Sequence, residues 1–124
     1  MMTIRPTHKE LRNKIKGAVQ AVSEGRMYIV DPEVIARDAF ELGYRVSDLS
    51  ELLLDALSTL SPGDYIGHLP PEKSYEEKLK GADLFTFKAF SQMVGCNFYL
   101  KFALIEKCIW IVSLHEFEEK GGNP

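Results

Sequence analysis

Cysteine and histidine are scarce in this chain, with two and three among 124 residues. Cys96 and Cys108 make no CxxC pair and no disulfide framework, so both read as reduced thiols. His8, His68 and His115 are scattered, without the clustered spacing of a zinc site. The longest apolar stretch, Cys108 to Leu114, is far short of a membrane span. No apolar h-region follows the first methionines, which predicts an unsecreted, cytoplasmic chain. A phosphate-binding glycine loop, paired carboxylates and a Ser–His–Asp pattern are also missing from the sequence. Basic charge is in short supply: the net charge is −3 and the pI is near 5.6. That counts against a non-specific nucleic-acid binder, although Glu116, Glu118 and Glu119 concentrate part of the excess at one end.

What remains is an ordinary globular composition and, at this length, one domain spanning 1–124. Its first half (about 7–60) is helical in pattern. Leu11, Ile15, Ala18, Val19 and Val22 recur at three- and four-residue steps, and Gly25 stops that helix. Met27 to Val30 reads as a short extended link. Asp31 followed by Pro32 starts a second helix through Val34, Ile35, Ala39 and Phe40, ending at Gly43. Ser47 or Asp48 caps a third, through Leu49, Leu52, Leu53, Ala56 and Leu57 to near Leu60. Residues 61–82 hold two consecutive prolines and a charge run, and read as a solvated loop or short helix.

From 83 to about 117 the period changes from helical to alternating. Phe85 and Phe87 share one face of a strand, while Leu84, Thr86 and Lys88 share the other. "NFYLKF" (97–102) repeats the pattern, with Phe98, Leu100 and Phe102 inward and Tyr99 and Lys101 outward. A third strand runs from Ile109 to about Phe117, and an acidic tail, 118–124, closes the chain. Helices first and an antiparallel meander afterwards make an α+β fold, with N-terminal helices packed on a small antiparallel sheet.

The turn between the last two strands sets the register. A three-residue loop, Glu106 to Cys108, pairs Tyr99 with His115, Lys101 with Ser113 and Leu100 with Leu114. One face is then wholly apolar, and the polar end of the other gathers Tyr99, Lys101, Ser113 and His115, with opposed Cβ atoms about 4.5–5.5 Å apart. Lys88 can join from the first strand. The same alternation also fits a sheet face that is polar only because water covers it.

The runs "LSPGDY" (60–65), "LFTFKAF" (84–90), "NFYLKF" (97–102) and "IVSLHEF" (111–117) resemble the MqsR family of toxins, over roughly Val30 to Phe117. These are small RelE-like proteins of bacterial type II toxin–antitoxin modules. The resemblance implies a RelE-like fold and a metal-independent endoribonuclease acting on mRNA, free or presented by the ribosome. No cofactor and no membrane are implied, and the partner is a cognate antitoxin. By position, Tyr99 matches the family's tyrosine in Tyr-Leu-Lys, and His115 the basic residue after the last-strand serine. The family's lysine after the Asp-aromatic turn falls on Gly67, so His68 matches it only with a one-residue shift. Thr86, with Lys88 nearby, stands where some members have glutamine.

Such chemistry needs a base for the 2′-OH, cations for the phosphorane and an acid for the leaving oxygen. His115 fits the acid or base, since an ordinary imidazole titrates at about 6.5. His68 is the second acid–base group, and Tyr99 orients the phosphate or shares proton transfer. Lys101 and Lys88 bring charge, and Thr86 and Ser113 complete the substrate contacts. The competing expectation is a catalytically inactive RelE-like module that binds a protein partner.

Overall fold

In the computed structural model, described for residues 4–117, three helices precede most of a four-stranded sheet. These are α1 (His8–Ser23), α2 (Pro32–Leu42), α3 (Leu49–Leu57), β1 (Met27–Ile29), β2 (Phe85–Ser91), β3 (Cys96–Ile105) and β4 (Cys108–Glu116). The class is α+β, with helical N-terminal and sheet C-terminal parts. The acidic tail 118–124 lies outside the described residues.

Local chemistry sets the helix ends. Thr7 accepts the Glu10 N–H at 3.1 Å and caps α1. Asp31 accepts from Glu33 and Val34 and caps α2, with Pro32 in its first turn. Gly43 closes α2 in the left-handed region at φ 80°, where a Cβ would be strained. Neither Ser47 nor Asp48 caps α3. A 3₁₀ turn at Val46–Asp48 leads into it, and the Asp48 carboxylate is taken by Arg45 Nε at 2.9 Å. Phe40 does not join the core and is 88% exposed. The inner stripe of α2 is Ile35, Asp38, Ala39 and Leu42, so Phe40 falls on the opposite side.

The sheet order is β1-β4-β3-β2. β2, β3 and β4 form the expected antiparallel meander. Met27–Ile29, however, is a strand and not a link: it pairs parallel to β4, Met27 with Ile109 and Ile29 with Ile111, so the sheet is mixed. Three residues are too few for alternation to stand out, and tertiary pairing decides their state.

The β3–β4 register also departs from expectation. The loop has two residues, Glu106 and Lys107, both at positive φ (50° and 68°), as a hairpin twisting with its strands requires. Ile105 therefore pairs with Cys108, and Phe102 with Ile111. A bulge then intervenes, because Lys101 faces Ser113 and leaves Val112 without an opposite number. Beyond it, Leu100–Leu114 and Tyr99–His115 pair as anticipated.

Phe85, Phe87, Phe98, Phe102 and Leu100 meet α1 and α3 in the main core, with Ile109, Ile111 and Leu114 from β4. Truncating one such phenylalanine to alanine costs about 3–5 kcal/mol. Residues 61–82 form a strap that starts beside α1, with a 3₁₀ turn at Pro62–Asp64, and crosses to the other face. There the charge run holds a short 3₁₀ helix, Glu77–Leu79, one of the two expected forms. The strap buries Leu79 against Val30, Leu84 and Ala103. Backbone bonds Leu84 N–H to Glu72 O and Ser74 N–H to Ala82 O, both within 3.0 Å, tie it to the start of β2. The β2–β3–β4 end that carries the polar cluster is left open.

Candidate active site

An open groove of about 250 Å³ occupies that end of the sheet. Its floor comes from three strands: Thr86 on β2, Tyr99 and Lys101 on β3, and Ser113 and His115 on β4. Its rim is the strap, through Ile66, Gly67, His68 and Glu72. Six of the seven residues singled out in the sequence thus converge. Lys88 stands opposite Tyr99 in the β2–β3 ladder but outside the groove, with its ammonium 4.6 Å from the centre of the Phe117 ring. The Tyr99 ring packs tilted against the same ring at 4.7 Å, so Phe117 braces both.

His68 reaches the groove because the strap is pinned beneath it. Tyr65 donates its hydroxyl to the His68 carbonyl at 2.5 Å. Burial, with Asp83, Glu10 and Glu72 in support, pushes the Tyr65 phenol above its ordinary value and keeps it a donor. The same ring crowds Gly67, where a Cβ would lie 2.6 Å from the Tyr65 hydroxyl. A side chain at Gly67 would force the Tyr65 ring to shift, and the basic side chain at this part of the rim is that of His68.

Two acidic residues outside the sequence expectations face the basic side chains of the groove. Glu72 sends one carboxylate oxygen to Lys101 Nζ at 3.0 Å and the other to His68 Nε2 at 3.6 Å. Its contact with Lys101 could not be read locally, because the two lie 29 residues apart. Asp38, on α2, is 1% exposed. Its Oδ2 accepts the Leu114 N–H at 2.9 Å, and its Oδ1 lies 3.0 Å from His115 Nδ1. The Oδ1–Nδ1 contact is at ion-pair distance but off hydrogen-bond alignment, so Oδ1 receives no well-aligned hydrogen bond among the described residues. Asp38 carries a readable signal: it is a carboxylate on the buried stripe of a helix, a position seldom tolerated without a partner. The Asp–His pair missing from the sequence motifs is therefore made between α2 and β4.

Behind this pair, the Tyr44 hydroxyl is buried and without a partner among the described residues. Burial, and then the charge of Asp38, push its phenol up to about 12. The described residues contain no three His, Cys, Asp or Glu side chains placed to hold a metal ion. Cys96 and Cys108 are free thiols. Among the described residues no helix is long and apolar enough to cross a membrane.

The groove thus offers an imidazole, an ammonium, a phenol and two hydroxyls on the sheet, with a second imidazole and a carboxylate at the rim and one carboxylate buried behind. This set suits proton transfer at an anionic substrate. No protein-family model matches the chain, and no curated protein matches it either.

Proposed function

We propose that the protein is a RelE-like toxin of a type II toxin–antitoxin system, a metal-independent endoribonuclease acting on mRNA. The observation that carries this reading is the convergence of His115, Tyr99, Lys101 and His68 in one open groove. The MqsR resemblance of the segments forming that groove points the same way. One imidazole takes the proton of a ribose 2′-OH. The O2′–P bond forms, the P–O5′ bond breaks, and the other imidazole protonates O5′. The products are a 2′,3′-cyclic phosphate and a 5′-hydroxyl end. Lys101, with Lys88 at the groove's edge, stabilises the phosphorane. Tyr99 orients the phosphate, and Thr86 and Ser113 hold it through their hydroxyls. The partners on this reading are mRNA, free or on the ribosome, and a cognate antitoxin; the compartment is the cytoplasm.

The pairing of Glu72 with Lys101 and His68 favours a second reading, since it neutralises the cations that cleavage needs. There the same groove is a RelE-like protein-binding surface without catalysis. Induced expression in a bacterium separates the two, comparing the wild-type chain with His115→Ala. A toxin arrests growth and fragments mRNA, with cyclic phosphate ends formed even in EDTA, and the variant does neither. Equal growth and intact mRNA with soluble wild-type protein refute the enzyme.

A further inference from the structure

We infer that Asp38 is a positioning residue that holds neutral His115 with its proton on Nδ1 and its Nε2 lone pair presented to the groove. The argument begins with the backbone. Oδ2 of Asp38 is committed to the Leu114 N–H at 2.9 Å, which fixes how the carboxylate is turned. Its other oxygen then meets Nδ1 of the next residue at 3.0 Å. A carboxylate oxygen accepts rather than donates, so a ring nitrogen 3.0 Å from it favours carrying the hydrogen, although the contact is off hydrogen-bond alignment. The carboxylate is 1% exposed while the imidazole is 55% exposed, so the pair has one buried end and one wet end. Water does not compete at the buried end, which favours a hydrogen on the ring nitrogen nearest the carboxylate. Free imidazoles favour the opposite tautomer, so the pairing imposes a state that His115 would not adopt alone.

The consequence for the groove is a division of labour. With Nδ1 occupied, neutral His115 can only accept at Nε2, which makes it the base that takes the 2′-OH proton. Donation to O5′ then falls to His68. This assignment of a base rests on the ribonuclease reading; the tautomer does not.

Asp38→Asn makes the test sharp. The Leu114 N–H still demands an oxygen, so the substituted amide turns its carbonyl toward that N–H and its NH₂ toward Nδ1. A donor now opposes Nδ1, the proton moves to Nε2, and the groove meets N–H where it had a lone pair. The measurement is ¹⁵N NMR of the histidine side chains in the full chain, at alkaline pH where neutral imidazoles predominate. The His115 signal is assigned by its loss in His115→Gln. In the wild type, Nδ1 is expected to be protonated and Nε2 bare; in Asp38→Asn the two exchange. Cleavage by that variant is expected to fall about 10²-fold in kcat, the lower end of what a positioned acid–base group supplies, with RNA affinity nearly unchanged. A wild-type His115 protonated on Nε2 overturns the proposal, and this does not depend on Asp38→Asn folding. A tautomer that Asp38→Asn leaves unchanged overturns it equally. A chain with the expected tautomer that cuts no RNA refutes the ribonuclease reading and leaves the Asp38–His115 assignment intact.

Discussion

Replacing Glu72 with glutamine is expected to tighten RNA binding. The carboxylate of Glu72 lies against Lys101 at 3.0 Å and His68 at 3.6 Å, where a substrate phosphate has to sit to use those cations. Opposite unit charges at 3.0 Å attract by about 1.4 kcal/mol in bulk water. Both side chains of the Lys101 pair are about one-third exposed (31% and 35%). Screening and side-chain entropy therefore reduce the net value to about 0.2–1 kcal/mol. His68 is 72% exposed and adds little.

A phosphate entering the groove displaces that contact, so Glu72→Gln removes a competitor worth at most about 1 kcal/mol. Affinity is expected to rise up to about five-fold. Loss of repulsion between Glu72 and the incoming anion has the same sign. The assay is fluorescence anisotropy with a short RNA carrying a 2′-deoxy group at the cleavage position, so that binding is read without turnover. Because the effect is electrostatic, the gain should shrink as salt rises from about 0.1 M to 0.5 M. The backbone bond from Leu84 to Glu72 does not involve the side chain, so the strap stays in place, and thermal unfolding checks this. Unchanged or weaker binding by the folded variant means that phosphate does not sit at Lys101, and the reasoning fails.

Two further outcomes test the frame around the groove. Arg5 bridges Glu10 and Asp83, and Lys73 also pairs with Asp83. The Arg5 hydrogen bond holds the Glu10 carboxyl below its ordinary value; at Asp83 burial works upward, but hydrogen bonds from Arg5 and Lys73 outweigh it. Carboxyls depressed in the folded state contribute stability above their ordinary values of about 4, and that contribution is lost as pH falls through the lower folded values. Urea midpoints should therefore drop more steeply between about pH 5 and pH 2 in the wild type than in Arg5→Leu, and parallel profiles would refute the linkage. Tyr44→Phe removes a buried hydroxyl that has no partner among the described residues and is expected to raise stability by about 1 kcal/mol in urea unfolding. A clear loss would show that the hydroxyl is satisfied in solution.

Periodicity made the face of each long strand legible. Tyr99 and Lys101 stand opposite the inward Phe98 and Leu100, and a two-residue period over ten residues leaves little choice. The pairing of Tyr99 with His115 was readable because only one register keeps Leu100 on Leu114. The means was not readable: a longer turn and a strand bulge both shift the register by one. Glu106 and Lys107 lack the glycine that marks a left-handed two-residue turn, so the bulge at Val112 went unseen. Met27–Ile29 was too short to show its strand, and the strap's polar composition concealed that Leu79 anchors it.

The residues that tune the site were the least legible, and the reason is where β1 ends. β1 stops pairing once Val30 N–H reaches Ile111 O. From Val112 onward β4 has a neighbour on its β3 side only, so the Leu114 N–H points out of the sheet with no strand to receive it. A buried N–H left in that state costs about 1–3 kcal/mol. Asp38 meets that need from α2, and this is what allows a carboxylate within an otherwise apolar helix stripe. Once there, its second oxygen has nowhere to go but toward the next outward side chain, His115. The placement of the Asp38–His115 pair thus follows from a strand three residues long, a bulge that brings Ser113 and His115 opposite Lys101 and Tyr99, and a helix that fills the gap. Each is a contact between segments distant in sequence, and none leaves a period behind for a reader of the sequence to find.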